Sequence, residues 1–382
     1  MYVNVAVLKE TQPHERRVAL MPSSASKLVR LGAKLHMQAG AGIASNQPDA
    51  AYDAVAIMAD RQGMVGAADV VLAVQPPALD VIAAMKPGAI LVCFVHAVRQ
   101  PALVAALLER RITCFAMERI PRISRAQAMD ALSSQSALAG YYAVQLGATH
   151  MARVLPKITS AAGAIGPAHV LVMGLGVAGL EAVATAHRLG AVVEGYDVRP
   201  ETADQIASLG ATFVDTGVDA RGKGGYAREL TQAEKVKIDA VVTAHIQRAD
   251  LVITTASVPG RAAPKLISSA QLAGMKLGAV IVDLSAEGGG NCADTQPGRT
   301  ARIGPATIVA PLNMPSLLAQ DASELYAKNV AALLGLMVKD NVVSLDWDDE
   351  VLAATVLTHA GQPRSERSQH DAFPSNPPVK AA

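Results

Sequence analysis

Short apolar runs alternate with stretches of helical spacing through the first third of the chain. Each run is bounded by turn or polar residues, which is typical of buried strands. Strand, helix and strand in this order predict a parallel sheet that is covered by helices on both faces. The strands that this pattern predicts are Val3–Leu8, Lys34–Gln38, Val70–Val74, Ala89–Val95 and Thr113–Met117.

A second series of apolar runs begins near position 170 and predicts a second sheet of the same kind. Its strands are Val170–Met173, Val192–Tyr196, Thr212–Val214, Leu251–Thr254, Val280–Leu284 and Thr307–Val309. Each series is followed by an Ala-rich stretch with helical spacing and no interior proline, Ser134–Arg153 and Asp321–Met337. We therefore predict an α/β protein with two doubly wound, Rossmann-like domains joined by long helices, the second of which returns the chain to the first domain.

The two long helices set the predicted domain boundaries. Residues 1–133 together with 321–360 are expected to form a discontinuous N-terminal Rossmann-like domain, and residues 134–320 a second Rossmann domain. Prolines recur among Ser, Arg and Gln in 361–382, and this segment has too little apolar surface to fold by itself. We expect 361–382 to be a mobile, disordered tail.

Composition narrows the class of protein and of partner. Of the 382 residues, 51% are hydrophobic and 18% charged, so a globular chain can bury a sizeable core. The 34 Lys and Arg balance 33 Asp and Glu, and a net charge of +1 attracts neither nucleic acid nor an anionic membrane. The cysteines are scattered without CxxC or His spacing, which argues against a zinc site and favours unpaired thiols in a reducing compartment. We predict a cytoplasmic protein without a bound metal.

One stretch without charged residues, Ile158–Leu180, has the length of a membrane span. Glycines and prolines interrupt it, so its backbone groups would not all be satisfied in one lipid-exposed helix. The N-terminus also lacks the basic start of a signal peptide, and its apolar region is too short. We expect neither export nor direct insertion into a membrane.

The same stretch contains a dinucleotide-binding fingerprint. Residues 169–179 read HVLVMGLGVAG, a hydrophobic strand that runs into Gly174, Gly176 and Gly179 and then into a helix. The first glycine makes the tight turn, the second lets the backbone approach a pyrophosphate, and the third lets the helix pack closely on the strand. Because the phosphates then lie at a helix N-terminus, Val177 and Ala178 join the predicted binding residues.

A carboxylate follows the next predicted strand. Asp197 comes 21 residues after Gly176, where an acidic side chain binds the adenosine ribose hydroxyls of NAD and repels the extra phosphate of NADP. Arg199 leaves an alternative open, because an arginine near this position can accommodate that phosphate. It can also be solvated or pack on the adenine ring. With Asp197 charged, we predict NAD(H) as the cofactor, with Val198 and Arg199 beside it.

Polar side chains are dense just before the first long helix. The segment PRISRAQAMDALSSQS carries Arg122, Gln127, Asp130 and Ser133 at the predicted domain boundary, where such residues suit a nicotinamide-binding loop. The alternative is a capped helix start in which Arg122 or Arg125 pairs with Asp130. The residues by themselves do not decide between the two.

This segment closely resembles one in the NAD(H)-binding component, domain I, of the proton-translocating NAD(P) transhydrogenases. The resemblance extends to about residue 340 and includes KETQPHERRVALMP near the start, GLGVAGL, GGYA in a long loop, TTA, PG and VIVDLSAEGGGNC. It implies that the chain is the NAD(H)-binding subunit of a membrane transhydrogenase, an enzyme that passes hydride from NADH to NADP⁺ on a partner component while protons cross the membrane.

The resemblance assigns roles to the polar segment. In the family an arginine, a glutamine and an aspartate at this spacing line the nicotinamide site, and the matching positions are Arg122, Gln127 and Asp130. Ser133 matches a serine that contacts the nicotinamide. We therefore predict the first three as the catalytic residues and Ser133 as a cofactor-binding residue.

The resemblance also assigns roles within two loops of the second domain. Tyr226 matches a tyrosine on a mobile loop that closes over bound NAD(H), and Thr255 and Ala256 lie in a matching cofactor-binding loop. Glycines at 217, 222, 224 and 225 give the tyrosine loop a composition suited to a lid. Glycine-rich loops are also often simple connectors.

Alanine dehydrogenases share this architecture. Arg17 and His96 match their substrate-site positions, but Gln75 replaces a lysine that should hold the substrate carboxylate, and Glu287 replaces the catalytic aspartate. Arg17 can equally pair with Glu15 or with a phosphate, and a lone histidine at a strand end is more often structural than catalytic. We therefore favour a transhydrogenase over an alanine dehydrogenase-like oxidoreductase or an NAD-sensing regulatory protein.

Partners follow from the resemblance. In a split transhydrogenase this chain docks on a membrane-spanning subunit and on a component that binds NADP(H), and it lies peripherally at the inner face of the cytoplasmic membrane. The domain is a homodimer in the family. We look for the dimer contact in the Ala-rich helices and in the segment Asn341–His359, which contains apolar strands.

Overall fold

A computed structural model of the protein describes residues 2–218, 231–257 and 261–364. These residues divide into two compact units. Unit 1 takes in the described stretches of Met1–Gln135 and Ser316–Ala382, and unit 2 takes in those of Ser136–Pro315. The chain thus divides after positions 135 and 315, whereas the sequence predicts boundaries after positions 133 and 320. Unit 2 is a continuous insertion between the two segments of unit 1.

The first segment of unit 1 alternates strands with helices. Pro22 and Pro101 occupy the first turns of two helices, where a missing N–H costs little, and Asp60 caps another by accepting the N–H of Gly63. Local sequence therefore sets where these helices begin. The elements are β1 (Val3–Val7), α1 (Pro22–Arg30), β2 (Ala33–Gln38), β3 (Val55–Met58), α2 (Arg61–Ala67), β4 (Val70–Leu72), α3 (Leu79–Ala84), β5 (Ile90–Cys93), α4 (Pro101–Glu109) and β6 (Thr113–Ala116).

A helix of 20 residues, α5 (Ala131–His150), carries the chain from unit 1 into unit 2. Capping boxes start two later helices, Thr231 with Glu234 and Ser268 with Gln271. The elements of unit 2 after α5 are β7 (Ile158–Ser160), β8 (Gly163–Ile165), β9 (His169–Met173), α6 (Val177–Arg188), β10 (Val192–Tyr196), α7 (Thr202–Ser208), β11 (Thr212–Phe213), α8 (Gln232–Arg248), β12 (Leu251–Thr254), α9 (Ser269–Ala273), β13 (Val280–Asp283), β14 (Thr300–Ile303) and β15 (Ala306–Val309).

The last elements return the chain to unit 1. They are α10 (Ala319–Met337), β16 (Val338–Lys339), β17 (Val342–Val343), α11 (Glu350–Thr355), β18 (Val356–His359) and β19 (Gln362–Pro363). Because α10 begins after the division at Pro315, it belongs wholly to unit 1. The expectation that both long helices join the two domains is therefore met by α5 and not by α10. Tyr326 of α10 is fully buried, and its hydroxyl donates to the carbonyl of Ala73 at 2.8 Å. The end of the chain therefore completes the core of unit 1.

The sheet of unit 1 has the strand order β3-β2-β1-β4-β5-β6-β18-β19. The strands from β3 to β6 run parallel, and β18 and β19 add an antiparallel edge. The order reverses between β1 and β4, which makes the sheet doubly wound with a switch point there. Along β1, Val5 and Val7 belong to one buried apolar cluster and Ala6 to another, so both faces of the sheet are covered.

The sheet of unit 2 repeats this architecture, with the order β11-β10-β9-β12-β13-β15-β14. Its strands are parallel except for β14, and its switch point lies between β9 and β12. Along β9, Val170 and Val172 face one buried cluster, and Leu171 and Met173 face the other. The predicted fold class, two doubly wound α/β domains, is confirmed.

The structure corrects the sequence predictions at several edges. The pattern missed β3, β14 and the hairpin of β7 and β8. The predicted tail begins too early, because Gln362–Pro363 pairs with β18 and the guanidinium of Arg364 lies 4.5 Å from the ring centroid of Trp347. Residues 365–382 lie outside the described residues. Within 2–218, 231–257 and 261–364, no helix is long and apolar enough to span a membrane.

Candidate functional site

The fingerprint loop joins β9 to α6 at the switch point of the unit 2 sheet. Gly174 has φ +96°, which L side chains rarely adopt, and its N–H donates to the carbonyl of Tyr196 at 2.8 Å. A Cβ on Gly179 would lie 1.8 Å from the carbonyl oxygen of Gly174, so only glycine lets α6 pack this closely. A Cβ on Gly176 would meet nothing within 4 Å. Gly176 therefore leaves open space beside the first turn of α6, where a phosphate can approach the backbone.

The loop after β12 holds the fingerprint from the neighbouring strand. The hydroxyl of Thr255 donates to the carbonyl of Gly174 at 2.8 Å, and the N–H of Thr255 donates to that of Met173 at 2.9 Å. A Cβ on Gly174 would lie 2.7 Å from Thr255 Oγ1 and 3.1 Å from the nitrogen of Ala256. The structure thus brings Thr255 and Ala256 against the first turn of the fingerprint.

Asp197 follows β10 and is bonded to the same loop. Its Oδ2 accepts the N–H of Leu175 at 2.7 Å, and only 7% of its side chain is exposed. Arg199 folds back on the carboxylate, with Nε 3.0 Å from Oδ1 and Nη2 2.9 Å from Oδ2. This two-point ion pair was not among the alternatives that the sequence left open for Arg199. Val198, between the two residues, is exposed.

The environment of Asp197 favours its charged form. Burial raises the pKa of Asp197, but hydrogen bonds from the side chain and N–H of Arg199 and from the N–H of Leu175 outweigh it and hold the pKa below its ordinary value. Asp197 is therefore a carboxylate at neutral pH. Its two oxygens already accept four N–H groups, so ribose hydroxyls can bind it only when the half-exposed side chain of Arg199 moves away.

In unit 1, residues 122–133 combine a 3₁₀ turn, Ser124–Met129, with the start of α5. Asp130 accepts the N–H of Ser133 at 2.9 Å and its hydroxyl at 2.5 Å, so it caps α5 and orients the hydroxyl. Arg122 and Gln127 are exposed on the same segment. The structure thus joins Asp130 to Ser133 and presents the other two side chains to solvent.

The capped helix start is therefore present, but Arg125 does not pair with Asp130. The guanidinium of Arg125 binds Asp349 through two contacts of 3.0 Å and Glu350 through one of 2.9 Å. The hydrogen bonds from Arg125 lower the pKa of Asp349, which also caps α11. Arg125 thus connects residues 122–133 to the N-terminus of α11 by ion pairs.

A buried polar network surrounds Arg17 in unit 1. Arg17 forms a two-point ion pair with Glu15, with distances of 2.8 Å and 2.6 Å, and both side chains are buried. A third donor, Nη1, contacts Oε1 of Gln135 at 2.8 Å. Gln75 and Ser316 donate to the carboxylate of Glu15 at 2.9 Å and 3.1 Å. Of the two partners that the sequence left open for Arg17, the structure shows Glu15.

A pocket of about 170 Å³ adjoins this network, close to the switch point of the unit 1 sheet. Its charged lining residues are Lys9, Glu10, Glu15, Arg16 and Arg17. Burial raises the pKa of Glu10 to about 7, although its carboxyl accepts N–H groups from the loop after β4. The pocket therefore holds a carboxyl group that titrates near neutrality, while its buried arginine is already paired with a carboxylate of the chain.

The two other positions compared with alanine dehydrogenases have structural contacts. His96 follows β5 with φ +51°, stacks on Phe94 at 5.9 Å between ring centroids, and donates its N–H to Glu118 at 2.6 Å. Glu287 accepts the N–H of Asn313 at 2.6 Å. The hydrogen bond from the backbone of Asn313 gives Glu287 a structural contact. The left-handed backbone conformation of His96 determines where its ring lies.

One predicted residue lies beyond the described ranges, and two partners were missed. Tyr226 lies outside the described residues. The sequence pattern does not predict Gln135 and Ser316, which complete the Arg17 network. Gln135 lies among serines and Ser316 is a single polar residue beside apolar ones, so neither position indicates a distant partner. In the described ranges, no group of three or more His, Cys, Asp or Glu is placed to hold a metal ion.

Comparison with protein families accounts for both domains of the chain. The model of the N-terminal domain of alanine dehydrogenase/PNT matches residues 6–139, and that of the C-terminal domain matches residues 143–366. The chain belongs to the alanine dehydrogenase/PNT family.

Within the alanine dehydrogenase/PNT family, the chain is similar to transhydrogenase subunits and to alanine dehydrogenases. It is 42% identical to the first part of NAD(P) transhydrogenase subunit alpha from Rhodospirillum rubrum, over 94% of this chain and 97% of that protein. A crystal structure of transhydrogenase from Sinorhizobium meliloti superposes with a TM-score of 0.86 at 41% identity, covering 94% of this chain and 99% of that one. The alanine dehydrogenase of Mycobacterium tuberculosis is 30% identical over 97% of this chain and 96% of its own length.

Proposed function

We propose that the protein is the NAD(H)-binding subunit of a proton-translocating transhydrogenase, which passes hydride from NADH to NADP⁺ held by a partner component. The observation that carries the proposal is the fingerprint loop, where open space at Gly176 lies in the same turn that Asp197 binds. The similarity to transhydrogenase alpha subunits supports the reaction class.

Hydride transfer between two nicotinamides requires only that the rings meet in a fixed orientation with water excluded. NADH supplies the hydride. We assign the first turn of α6, with Val177 and Ala178, to the pyrophosphate, and Asp197 to the adenosine ribose. No side chain has to exchange a proton with either ring, so the work of this chain is binding and orientation.

We assign the nicotinamide end of NAD(H) to the segment before α5. The Ser133 hydroxyl commits its proton to Asp130, so its oxygen offers acceptor capacity that suits the amide N–H of a nicotinamide carboxamide. Arg122 and Gln127 are exposed on the same segment. We propose that Gln127 aligns the second nucleotide and that Arg122 supports its binding.

Amino-acid oxidation is the alternative that the alanine dehydrogenase relatives suggest. It needs a cation for the substrate carboxylate, yet Arg17 is engaged by Glu15 and Gln135, and Gln75 is neutral. To bind a substrate carboxylate, Arg17 would have to leave Glu15, and removing one partner from a buried ion pair costs about 3–5 kcal/mol. This cost corresponds to a loss of more than 100-fold in affinity for the amino-acid substrate. The engaged Arg17 and the neutral Gln75 therefore count against amino-acid oxidation at these two positions, and Lys9 and Arg16 are the other cations that line the pocket.

The deciding experiment assays the purified chain in two reactions. We expect hydride transfer from NADH to an NADP⁺ analogue only when an NADP(H)-binding transhydrogenase component is added, and no reduction of NAD⁺ by alanine. Turnover with alanine alone would replace the proposal with an alanine dehydrogenase. Tight NADH binding with no turnover in either assay would favour an NAD-sensing protein.

The proposed reaction requires partners. We propose that the chain docks on a component that binds NADP(H) and on a membrane-spanning subunit that carries the protons. Its location is then peripheral, at the cytoplasmic face of the membrane. The transhydrogenase relatives are named as one portion of an alpha subunit, which supports a complex of several chains.

We further propose that the chain is a homodimer. The hairpin of β7 and β8 supports this, because all six of its strand residues are exposed and none is charged. Ile158 and Ile165 are 42% and 55% exposed. A two-stranded hairpin is at best marginally stable alone in water, so one whose paired Ile158 and Ile165 are exposed calls for a covering surface. In the segment that the sequence indicated, Val342 and Val343 are also exposed.

A further inference from the structure

Asp283 is a fully buried carboxylate that no step of the proposed mechanism uses. It ends β13 at the same edge of the unit 2 sheet as the fingerprint loop. Its Oδ1 accepts the N–H of Ser285 at 3.0 Å, and its Oδ2 accepts those of Asn291 and Cys292 at 2.7 Å and 3.3 Å. The hydroxyl of Thr295 also donates to Oδ2, at 2.6 Å. Asp283 thus closes the loop from 284 to 295 on its own strand end.

Two side chains of this closed loop hold the loop after β12. The Ser285 hydroxyl and the Asn291 amide both donate to the carbonyl of Ala256, at 2.7 Å and 2.8 Å. The backbone N–H groups of these same two residues bind Asp283. The carboxylate therefore determines where both donors to Ala256 stand.

The contacts continue from Ala256 into the fingerprint. Thr255, its neighbour, donates to the carbonyl of Gly174, and a Cβ on Gly174 would lie only 3.1 Å from the nitrogen of Ala256. A displacement of the Thr255–Ala256 loop would therefore move the Thr255 hydroxyl that binds the first turn of the fingerprint. Hydrogen bonds, together with the peptide bond between Thr255 and Ala256, link Asp283 to Gly174.

We infer that Asp283 is a positioning residue for NADH: through Ser285 and Asn291 it fixes the Thr255–Ala256 loop, and through that loop the fingerprint turn. The inference rests on the proposed function, since it assumes that this turn binds the dinucleotide. It predicts that a defect at Asp283 appears as weaker NADH binding, with hydride transfer at saturating NADH close to that of the wild type.

Asp283→Asn is the direct perturbation, because it keeps the shape of the side chain and replaces one acceptor oxygen with a donor. Three donors reach Oδ2 and one reaches Oδ1, so the carbonyl oxygen of the new Asn keeps the Oδ2 position. Its NH₂ group then faces the N–H of Ser285, and this hydrogen bond is lost. The donor that is released then no longer holds Ala256 in place.

A second buried aspartate provides the matched control. Asp250 lies just before β12, at the opposite edge of the same sheet, and accepts the N–H of His169 at 2.8 Å and ion pairs from Lys276 and Arg153. Asp250→Asn also removes a buried charge from its partners. It should therefore lower the melting temperature of the full chain to a similar degree without touching the fingerprint turn.

The test titrates NADH fluorescence with the wild type, both variants, Ser285→Ala and the double variant Asp283→Asn/Ser285→Ala. We expect NADH to bind about tenfold more weakly to Asp283→Asn, the loss of one hydrogen bond to a charged group, and within twofold of the wild type to Asp250→Asn. Because Asp283 acts through Ser285, the double variant should bind NADH within twofold of Asp283→Asn. In the assay with the partner component, KM for NADH should rise while kcat changes by less than twofold.

Each other result counts against the inference. Unchanged NADH affinity in Asp283→Asn, an equal loss in Asp250→Asn, or fully multiplied losses in the double variant would reduce Asp283 to a general structural residue. If Asp283→Asn does not fold, Ser285→Ala decides, with an expected loss of about threefold in affinity at an unchanged melting temperature; wild-type affinity in that variant would overturn the proposal. Failure of the wild type itself to bind NADH would instead refute the proposed function.

Discussion

Replacing Gly176 with alanine separates binding of the dinucleotide from integrity of the fold. Gly176 has φ −79° and ψ −166°, which alanine adopts without strain, and the added Cβ would meet nothing within 4 Å. The substitution therefore changes the protein only by placing a methyl group in the space beside the first turn of α6. That space is where we place the pyrophosphate.

Two small effects on stability nearly cancel in this variant. Alanine reduces the entropy of the unfolded chain, which stabilises the protein by about 0.4–1 kcal/mol. As the N-cap of α6, however, alanine is worse than glycine by roughly 0.5–1 kcal/mol, because its methyl group shields the end N–H groups from water. The net free energy of unfolding should change by less than about 0.5 kcal/mol, and the melting temperature by less than about 2 °C.

The effect on NADH binding is much larger. A methyl group between the backbone and a phosphate removes at least one hydrogen bond to a charged oxygen, which is worth about 1.5–3 kcal/mol. The dissociation constant for NADH should then rise about 10- to 100-fold. Fluorescence titration of NADH with Gly176→Ala, together with thermal unfolding of the ligand-free chain, measures both quantities.

Gly179→Ala is the contrasting control. Its Cβ would lie 1.8 Å from the carbonyl oxygen of Gly174, so α6 or the turn must move, and overpacking of this kind costs about 1–3 kcal/mol. This variant should lose both stability and affinity. If Gly176→Ala binds NADH within twofold of the wild type, the pyrophosphate does not approach this turn and the placement of the cofactor is wrong.

Three further predictions test other regions of the structure. The pKa of Glu10 is raised to about 7, so the folded state binds this proton more tightly than the unfolded chain does. The free energy of unfolding, measured with urea, should therefore fall by roughly 2 kcal/mol from pH 5 to pH 8. Glu10→Gln should remove most of this pH dependence. Ile165→Lys should convert the dimer to a monomer in light scattering, while Leu277→Lys, at an 80% exposed site, should not. A dimer that survives Ile165→Lys would exclude the hairpin. Gln127→Asn should leave NADH affinity within about twofold and slow hydride transfer about tenfold, whereas equal losses would contradict its role with the second nucleotide.

The sequence predicts the central strands well and the edges poorly, for a physical reason. A strand such as β9 is buried on both faces, so it must be continuously apolar and is visible as a run. β14 lies at the end of its sheet and is partly exposed, so its residues need not be apolar. β3 also lies at the end of a sheet, but its four residues are apolar, and exposure does not explain why the pattern missed it. The strand β19 contains a proline, which an edge strand tolerates, and the pattern therefore suggested a tail.

In the candidate site, the features that depend on neighbouring residues could be predicted from the sequence, and those that depend on distant residues could not. Gly174, Gly176 and Gly179 could be assigned tasks from spacing alone, because the tasks belong to one turn and one helix. The pairing of Arg199 with Asp197 depends on the conformation of a surface turn. The partners of Arg17 include Gln135 and, through Glu15, Ser316, and only the folded chain brings such distant positions together.

The discontinuity of unit 1 has a consequence for synthesis on the ribosome. Unit 2 is continuous, whereas β6 obtains its outer neighbour β18, and the core obtains Tyr326, only from residues after 315. At about 5–20 residues per second, translation of the intervening segment leaves the first domain incomplete for roughly 10–40 s. During that interval the edge of β6 has unpaired backbone groups that can template pairing with other chains. We expect the nucleotide-binding domain to fold first, and the N-terminal strands to need protection, for instance by a chaperone, until the last strand is released.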